Sequence, residues 1–269
     1  MLITALRTYG RRRWTRLTAQ LVARVDAART KPKPGYFDAR DLDSLPLPVQ
    51  RFFRTALSDS LPLITAASVE QAGTFNMGET SDQWKDFTAI QRVVTRRPGF
   101  VWDGRVALLP GLAVHVHDAY VQGEGLLRAT IAGLMTVADL HGDDVARGEL
   151  MRFVAEAALY PTALLPSQSV LWEAVDQHSA RATLVDGSIS LTMAFTFGAD
   201  GLIESVRADE RGRLVEGQIV PTPWEGRWTD YRMMEGMRVP TTGEVAWLLP
   251  DGRKPYWRGR ITKLSYEFG

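Results

Sequence analysis

Apolar positions along this chain change period, and the changes divide it into segments. Between Leu2 and Ala28 the residues Leu2, Ile3, Leu6, Trp14, Leu17, Leu21, Val22 and Val25 recur at helical spacing, with arginines between them. That spacing predicts an amphipathic helix. "KPKPGYF" (31–37) ends it, because proline removes a backbone donor and restricts the residue before it. In "LPLPVQRFFRTAL" (45–57), Val49, Phe52, Phe53 and Leu57 share one side. A short helix is expected from Val49 onward, with Pro46 and Pro48 ahead of it.

After it the pattern turns to strands. "SVEQAGTFNM", "WKDFTAIQRVVTRR", "GFVWDGRVALL", "LAVHVHDAYVQGEG" and "LLRATIAGL" follow one another with short breaks containing Gly, Pro or Asp. Short connections favour antiparallel neighbours. One helical segment interrupts them, Asp143–Leu159, with Asp143 or Asp144 as the expected N-cap and Pro161 as a stop. Strands then resume as "VLWEAVD", "SARATLVDG", "SISLTMAFTFG", "IESVRADERG", "EGRWTDYRMM", "MRVPTTGEVAWLL" and "YWRGRITKLSYEF", with "VDGS", "GADG", "MEGM" and "PDGR" as hairpin turns.

The expected fold class is α+β, preceded by N-terminal helices. Its body is a large curved antiparallel β-sheet, a half-barrel of roughly 10–12 strands with helices packed on its concave face. Residues 1–33 form a basic amphipathic N-terminal helix, and 34–269 a single domain.

Charge refines this picture. The net charge is +1, yet residues 1–33 hold nine Lys/Arg against Asp26 alone, leaving 23 basic and 30 acidic residues in the remainder. An acidic body argues against a nucleic-acid surface. The basic helix has two readings: packed on its own domain with a solvated face, or lying on an anionic membrane surface. With no cysteine, disulfides and thiol chemistry are excluded. The N-terminus lacks the pattern of a secretory signal, so the expected location is cytoplasmic, with a peripheral membrane association through residues 1–33 in the second reading.

Candidate chemistry centres on the Asp143–Leu159 helix. Glu149, Arg152, Glu156 and Tyr160 make one narrow polar stripe on an otherwise apolar surface. It is either a solvent-facing ion-pair ladder or the wall of an internal pocket, where Glu156 would carry a raised pKa suited to acid or base work. Among the aromatic residues, Trp102, Tyr120, Phe153, Trp172 and Trp224 are the candidate lining of a ligand cavity.

In "GLAVHVHDAY" (111–120), alternation puts Ala113, His115, His117 and Ala119 on one face, and Val114, Val116, Asp118 and Tyr120 on the other. The valine face suits the core and the histidines an outward polar face. A metal site would need a third ligand, and neither a metal nor a cofactor is expected. In "PTPWEGRWTDY", alternation sets Glu225, Arg227 and Thr229 opposite Trp224, Trp228 and Asp230. His178, after a turn-like "DQ", reads as a solvated hairpin residue.

The stretches "LPLPVQRFFRTAL", "YPTALLPSQSVLWE" and "WLLPDGRKPYWRGRI" resemble a bacterial domain family of unknown function over about residues 45–268. That resemblance implies a curved sheet with plugging helices, of the lipoprotein-carrier (LolA/LolB-like) type, and hydrophobic ligand handling by fold analogy.

The leading expectation is therefore a soluble binding protein for a small hydrophobic or amphipathic, lipid-like ligand. The alternative is an enzyme acting on an apolar substrate by acid/base chemistry (hydration, isomerisation or cyclisation), centred on Glu156 with Arg152 and Tyr160.

Overall fold

The computed structural model describes residues 2–30, 35–78 and 81–269, with side chains from Thr4. Helix α1 (Leu2–Ala27) is followed by a 3-10 turn (Ala39–Leu42) and α2 (Leu47–Ala56). Of the "KPKPGYF" stop, residues 31–34 lie outside the described residues. Six strands come next: β1 (Ile64–Asn76), β2 (Trp84–Val94), β3 (Gly99–Leu109), β4 (Leu112–Val121), β5 (Glu124–Ile131) and β6 (Met135–His141). Helix α3 (Asp143–Glu156) and short 3-10 turns lead to β7 (Val170–Ala174), β8 (Ser179–Asp186) and β9 (Ile189–Phe197). The chain ends with β10 (Ile203–Val215), β11 (Gln218–Met234), β12 (Met237–Leu249) and β13 (Gly252–Phe268).

All thirteen strands belong to one antiparallel sheet, in the order β6-β5-β4-β3-β2-β1-β13-β12-β11-β10-β9-β8-β7. The chain thus meanders from the middle to one edge, crosses to the opposite edge through α3, and meanders back until β13 pairs with β1. That crossing forces curvature. A flat sheet of this size would hold its edges roughly 58 Å apart at ~4.8 Å per strand, whereas α3 is only about 21 Å long at ~1.5 Å per residue. The sheet curls around the helix, and α3 touches β3–β6 on one side and β9 and β10 on the other. Tyr120 on β4 donates its hydroxyl to Asp186 at the end of β8 at 2.7 Å, although nine positions separate those strands in the sheet order.

The concave face holds the main core. Phe87, Val93, Phe100, Trp102, Val106 and Tyr120 from β2–β4 meet Leu150, Phe153 and Val154 of α3 and Trp224 and Trp228 of β11. Gly125 on β5 permits the closest approach of α3, since a Cβ there would collide with the backbone of Ala146. Helix α2 packs on β12 and β8, placing Phe52 5.8 Å from Phe197.

Helix α1 lies on the convex face over β2–β4. Val25, Leu21 and Val22 close a second apolar cluster with Ala66, Val94, Val101 and Ala119. Asp26 pairs with Arg92 at 2.9 Å, and Arg92 also holds Glu267 at 2.7 Å. Gly10, in the middle of α1, faces the β5–β6 turn, where a Cβ would strike the carbonyl of Ala132.

Several elements depart from the sequence expectation. Thirteen strands replace the 10–12 expected, the added one being β6, whose residues are half-exposed or exposed with no buried face to impose alternation. The N-cap of α3 is Gly142 at φ 104, without a side-chain cap, and Asp143 and Asp144 sit in the first turn, where their charges oppose the helix dipole's positive end. The α-helix stops at Glu156, and Ala157–Leu159 tighten to 3-10 geometry. Asp230 is not buried with Trp224 and Trp228: at φ 55 it leaves the extended conformation, is exposed, and accepts from Thr242 Oγ1 at 2.8 Å. Beyond it Tyr231 is half-buried, and its hydroxyl donates to Ile203 O at 2.7 Å. His178 is exposed in the β7–β8 turn.

Candidate functional site

The polar stripe of α3 faces inward. An apolar helix placed inside a curved sheet has no solvent side to offer its charges, so they must find partners on the strands. Arg152 Nη1 donates to Asp118 Oδ2 on β4 at 2.5 Å, and its Nε donates to Glu156 Oε1 at 2.8 Å. The other oxygen of Glu156 accepts from Gln91 Nε2 on β2 at 2.6 Å. Gln91 Oε1 in turn accepts from Gln71 Nε2 on β1 at 3.4 Å, and Gln71 Oε1 from Trp102 Nε1 on β3 at 2.8 Å. One continuous hydrogen-bonded chain therefore links four neighbouring strands, β1 to β4, through Glu156 and Arg152 on the helix. The Arg152 guanidinium also lies over the rings of Trp102 (4.9 Å) and Phe100 (5.3 Å), a cation–π arrangement that offsets part of its desolvation.

Two carboxyl oxygens in this interior have no partner: Asp118 Oδ1 and Glu149 Oε2 are both buried without a hydrogen bond. Burial, and then the charge of Asp118, push the Glu149 carboxyl up to about 8, so it holds its proton at neutral pH. Burial also raises Asp118, against the pull of Arg152. Arg152 itself is raised: burial acts against its charge, but Glu156, Asp118 and Glu149 together outweigh that. From the far half of the sheet, Arg211 on β10 stands 4.9 Å over Trp224, whose Nε1 donates to Tyr256 Oη at 2.8 Å. The Arg211 charge reaches both Asp118 and Glu149. The assembly can hold a proton on Glu149, accept from a donor at Asp118, and place cations beside both.

Of the residues singled out in the sequence, Glu156 and Arg152 are brought together. Tyr160 is not part of the network: its hydroxyl donates to the carbonyl of Phe153 at 2.8 Å, within the same helical segment. Trp102 and Trp224 each stack against an arginine on the two sides of the interior. Phe153 is buried with its ring 5.4 Å from Tyr160. Tyr120 is buried and tied to Asp186. Trp172 packs on Phe195 at 5.1 Å and donates to Leu164 O, away from the charged groups. Sequence reasoning missed Gln71, Gln91, Asp118 and Arg211, and it chose Glu156 where Glu149 is the carboxyl left free. The available signal was Asp118 and the two glutamines standing on the core-facing parity of their strands.

The histidine strand is corrected in one respect. His115 and His117 do face away from the core, but that face is not solvated, because α1 covers it. His117 is fully buried, stacked on Trp14 with ring centroids 3.8 Å apart, and its Nε2 meets Thr18 Oγ1 at 2.8 Å. Trp14 Nε1 and Thr18 Oγ1 donate to the two oxygens of Asp103 at 2.9 and 3.0 Å. Burial drives His117 down to about 4, so it is neutral. No group of three or more His, Asp or Glu among the described residues is placed to hold a metal ion.

Two grooves border α1. One of about 230 Å³ lies between Leu21 and Arg24 of α1, the β4–β5 turn and the start of α3. The other, of about 510 Å³, lies between Arg7 and Arg11 and the outer face of β2–β4. No helix among the described residues is long and apolar enough to cross a membrane.

No curated protein matches the chain. Among solved structures, the fold is similar to a LolA superfamily protein from Nitrosomonas europaea, at 9% identity and a TM-score of 0.41 over 75% of this chain and 86% of that one. It is also similar to a DUF1329 family protein from Desulfovibrio piger, at 11% identity and a TM-score of 0.42 over 87% of this chain and 95% of that one. In sequence, a family model matches residues 43–266, from just ahead of α2 to near the end of β13. The chain belongs to that family, DUF6920, a family of unknown function.

Proposed function

We propose that the protein binds a small hydrophobic or amphipathic molecule inside its half-barrel, with the polar end of the ligand at Glu149 and Asp118. The observation that carries this reading is the pair of buried carboxyl oxygens, Asp118 Oδ1 and Glu149 Oε2, that the interior network leaves unpartnered. Each unsatisfied buried polar atom costs about 1–3 kcal/mol, and a ligand supplying a partner to both recovers that cost. Glu149, holding its proton, presents a donor, and Asp118 Oδ1 presents an acceptor. A hydroxyl or a carboxylic acid on an apolar body matches both, and the aromatic walls at Trp102 and Trp224 suit such a body. Helix α3, bounded by Gly142 and the 3-10 turn at Ala157–Leu159, plugs the concavity, so a ligand reaching Glu149 has to displace it.

Native mass spectrometry of the purified chain, followed by organic extraction, tests the proposal. The expected result is a co-purifying amphiphile that is lost when Asp118 and Glu149 are both replaced by leucine. A ligand-free mass together with no binding of long-chain alcohols or fatty acids would overturn it.

The same carboxyls support a second reading, proton transfer on an apolar substrate. Both oxygens of Glu156 are engaged by Arg152 and Gln91, so Glu149 is the group available to exchange a proton. Conversion of the extracted ligand to a product of altered structure, abolished in E149Q, separates catalysis from storage.

A further inference from the structure

The open groove of about 510 Å³ beneath the first half of α1 has its own chemistry. Arg7 and Arg11 from the helix and Arg105 from β3 line it, against a single acid, Asp86. Arg7 donates to the carbonyl of Gly111, which secures the helix over the β3–β4 turn. Arg11 and Arg105 are exposed and pair with no carboxylate among the described residues. His115 contributes to the lining, and its Nδ1 is buried with no partner. Burial, then Arg105, lower the basicity of that ring, so it stays a neutral imidazole able to donate one hydrogen bond.

The remaining wall is apolar. Leu109 and Leu112 line it from the β3–β4 turn, and Leu109 is 65% exposed. Cations from both the helix and the strand beside apolar side chains are what an anionic amphiphile requires: guanidinium forks match phosphate oxygens in pairs, and the adjoining leucines accept the start of a chain. The volume falls within the range of roughly 300–1,000 Å³ common to small-molecule sites.

We propose that this groove binds the phosphate headgroup of an anionic amphiphile, held by Arg11, Arg105 and His115, with the first part of its chain along Leu109 and Leu112. The site is independent of the interior reading, since it lies on the opposite face of the sheet and shares no residue with the Glu149 network.

Isothermal titration with short-chain phosphatidic acid, short-chain phosphatidylcholine and inorganic phosphate tests it on the full chain. Phosphatidic acid is expected to bind about tenfold more tightly than phosphatidylcholine, and to weaken as salt screens the arginines. The R11E/R105E double variant is expected to lose about tenfold or more in phosphatidic acid affinity, and the milder R11Q and R105Q to lose less in the same direction. If inorganic phosphate competes, the headgroup alone is recognised; if it does not, while the double variant still loses affinity, the phosphate must be lipid-borne. Either result upholds the site. Equal affinity for the two lipids, no binding of phosphatidic acid, or affinity unchanged in the double variant would overturn it.

Discussion

Replacing Glu149 with glutamine tests whether the interior carries a proton at neutral pH. The folded carboxyl stands at about 8 against an ordinary 4.5. Because the folded value is raised, the associated stability is fully present below about pH 4.5 and is lost as pH climbs through about 8. The unfolded chain releases the proton first, and the folded chain holds it. The gap of about 3.5, at about 1.4 kcal/mol per unit, amounts to about 5 kcal/mol between acid and alkaline conditions, with about 3 kcal/mol already lost at pH 7. Glutamine has nearly the shape of the protonated acid and does not titrate.

The stability of E149Q relative to wild type should therefore rise by about 1.4 kcal/mol per pH unit between about pH 5 and about pH 8, then level off. Urea unfolding of both proteins across that range, compared pH by pH, measures it; other titrating groups cancel in the difference. A difference that stays constant with pH would mean that Glu149 is ionised in the folded state, and the reasoning about the interior would fail with it.

Three further outcomes follow from the same geometry. In R152M, Asp118 and Glu156 lose their shared cation inside the core, and unfolding should become easier by about 3–5 kcal/mol; a change under about 1 kcal/mol in urea midpoint analysis would contradict the buried pairing. His117, pushed down to about 4, should be the histidine that stays neutral furthest into acid in an NMR titration of the four in the chain. Its folded value is depressed below the ordinary 6.5, so about 3 kcal/mol of stability is present above about pH 6.5 and is lost as pH falls toward about 4; a ring titrating near its ordinary value would refute the stacking beneath α1. In G10V the side chain collides with the Ala132 carbonyl, so amide exchange should quicken in the first half of α1 and leave β9 and β10 unchanged.

The strands were legible because each buries one face. Alternation in "GLAVHVHDAY" set Val114, Val116 and Tyr120 toward the core, and Tyr120 is indeed buried there. Where no face is buried, as in β6, the pattern faded and the strand was missed. The stripe Glu149–Arg152–Glu156 was legible too, since helical spacing alone groups those residues. Its orientation was not, because a polar stripe facing water and one facing a buried aspartate have the same sequence.

Local sequence determined which residues share a face, where the turns fall, and that the chain alternates between two periods, because those properties depend on neighbours within a few positions. Tertiary structure alone decided what each face meets. The curl of the sheet around α3 brought Asp118, Gln91 and Gln71 to the helix and left Glu149 without a partner, while α1 folded back over histidines that alternation had turned toward solvent. These contacts join residues about 30 to 100 positions apart in the chain, and no periodicity along it records them.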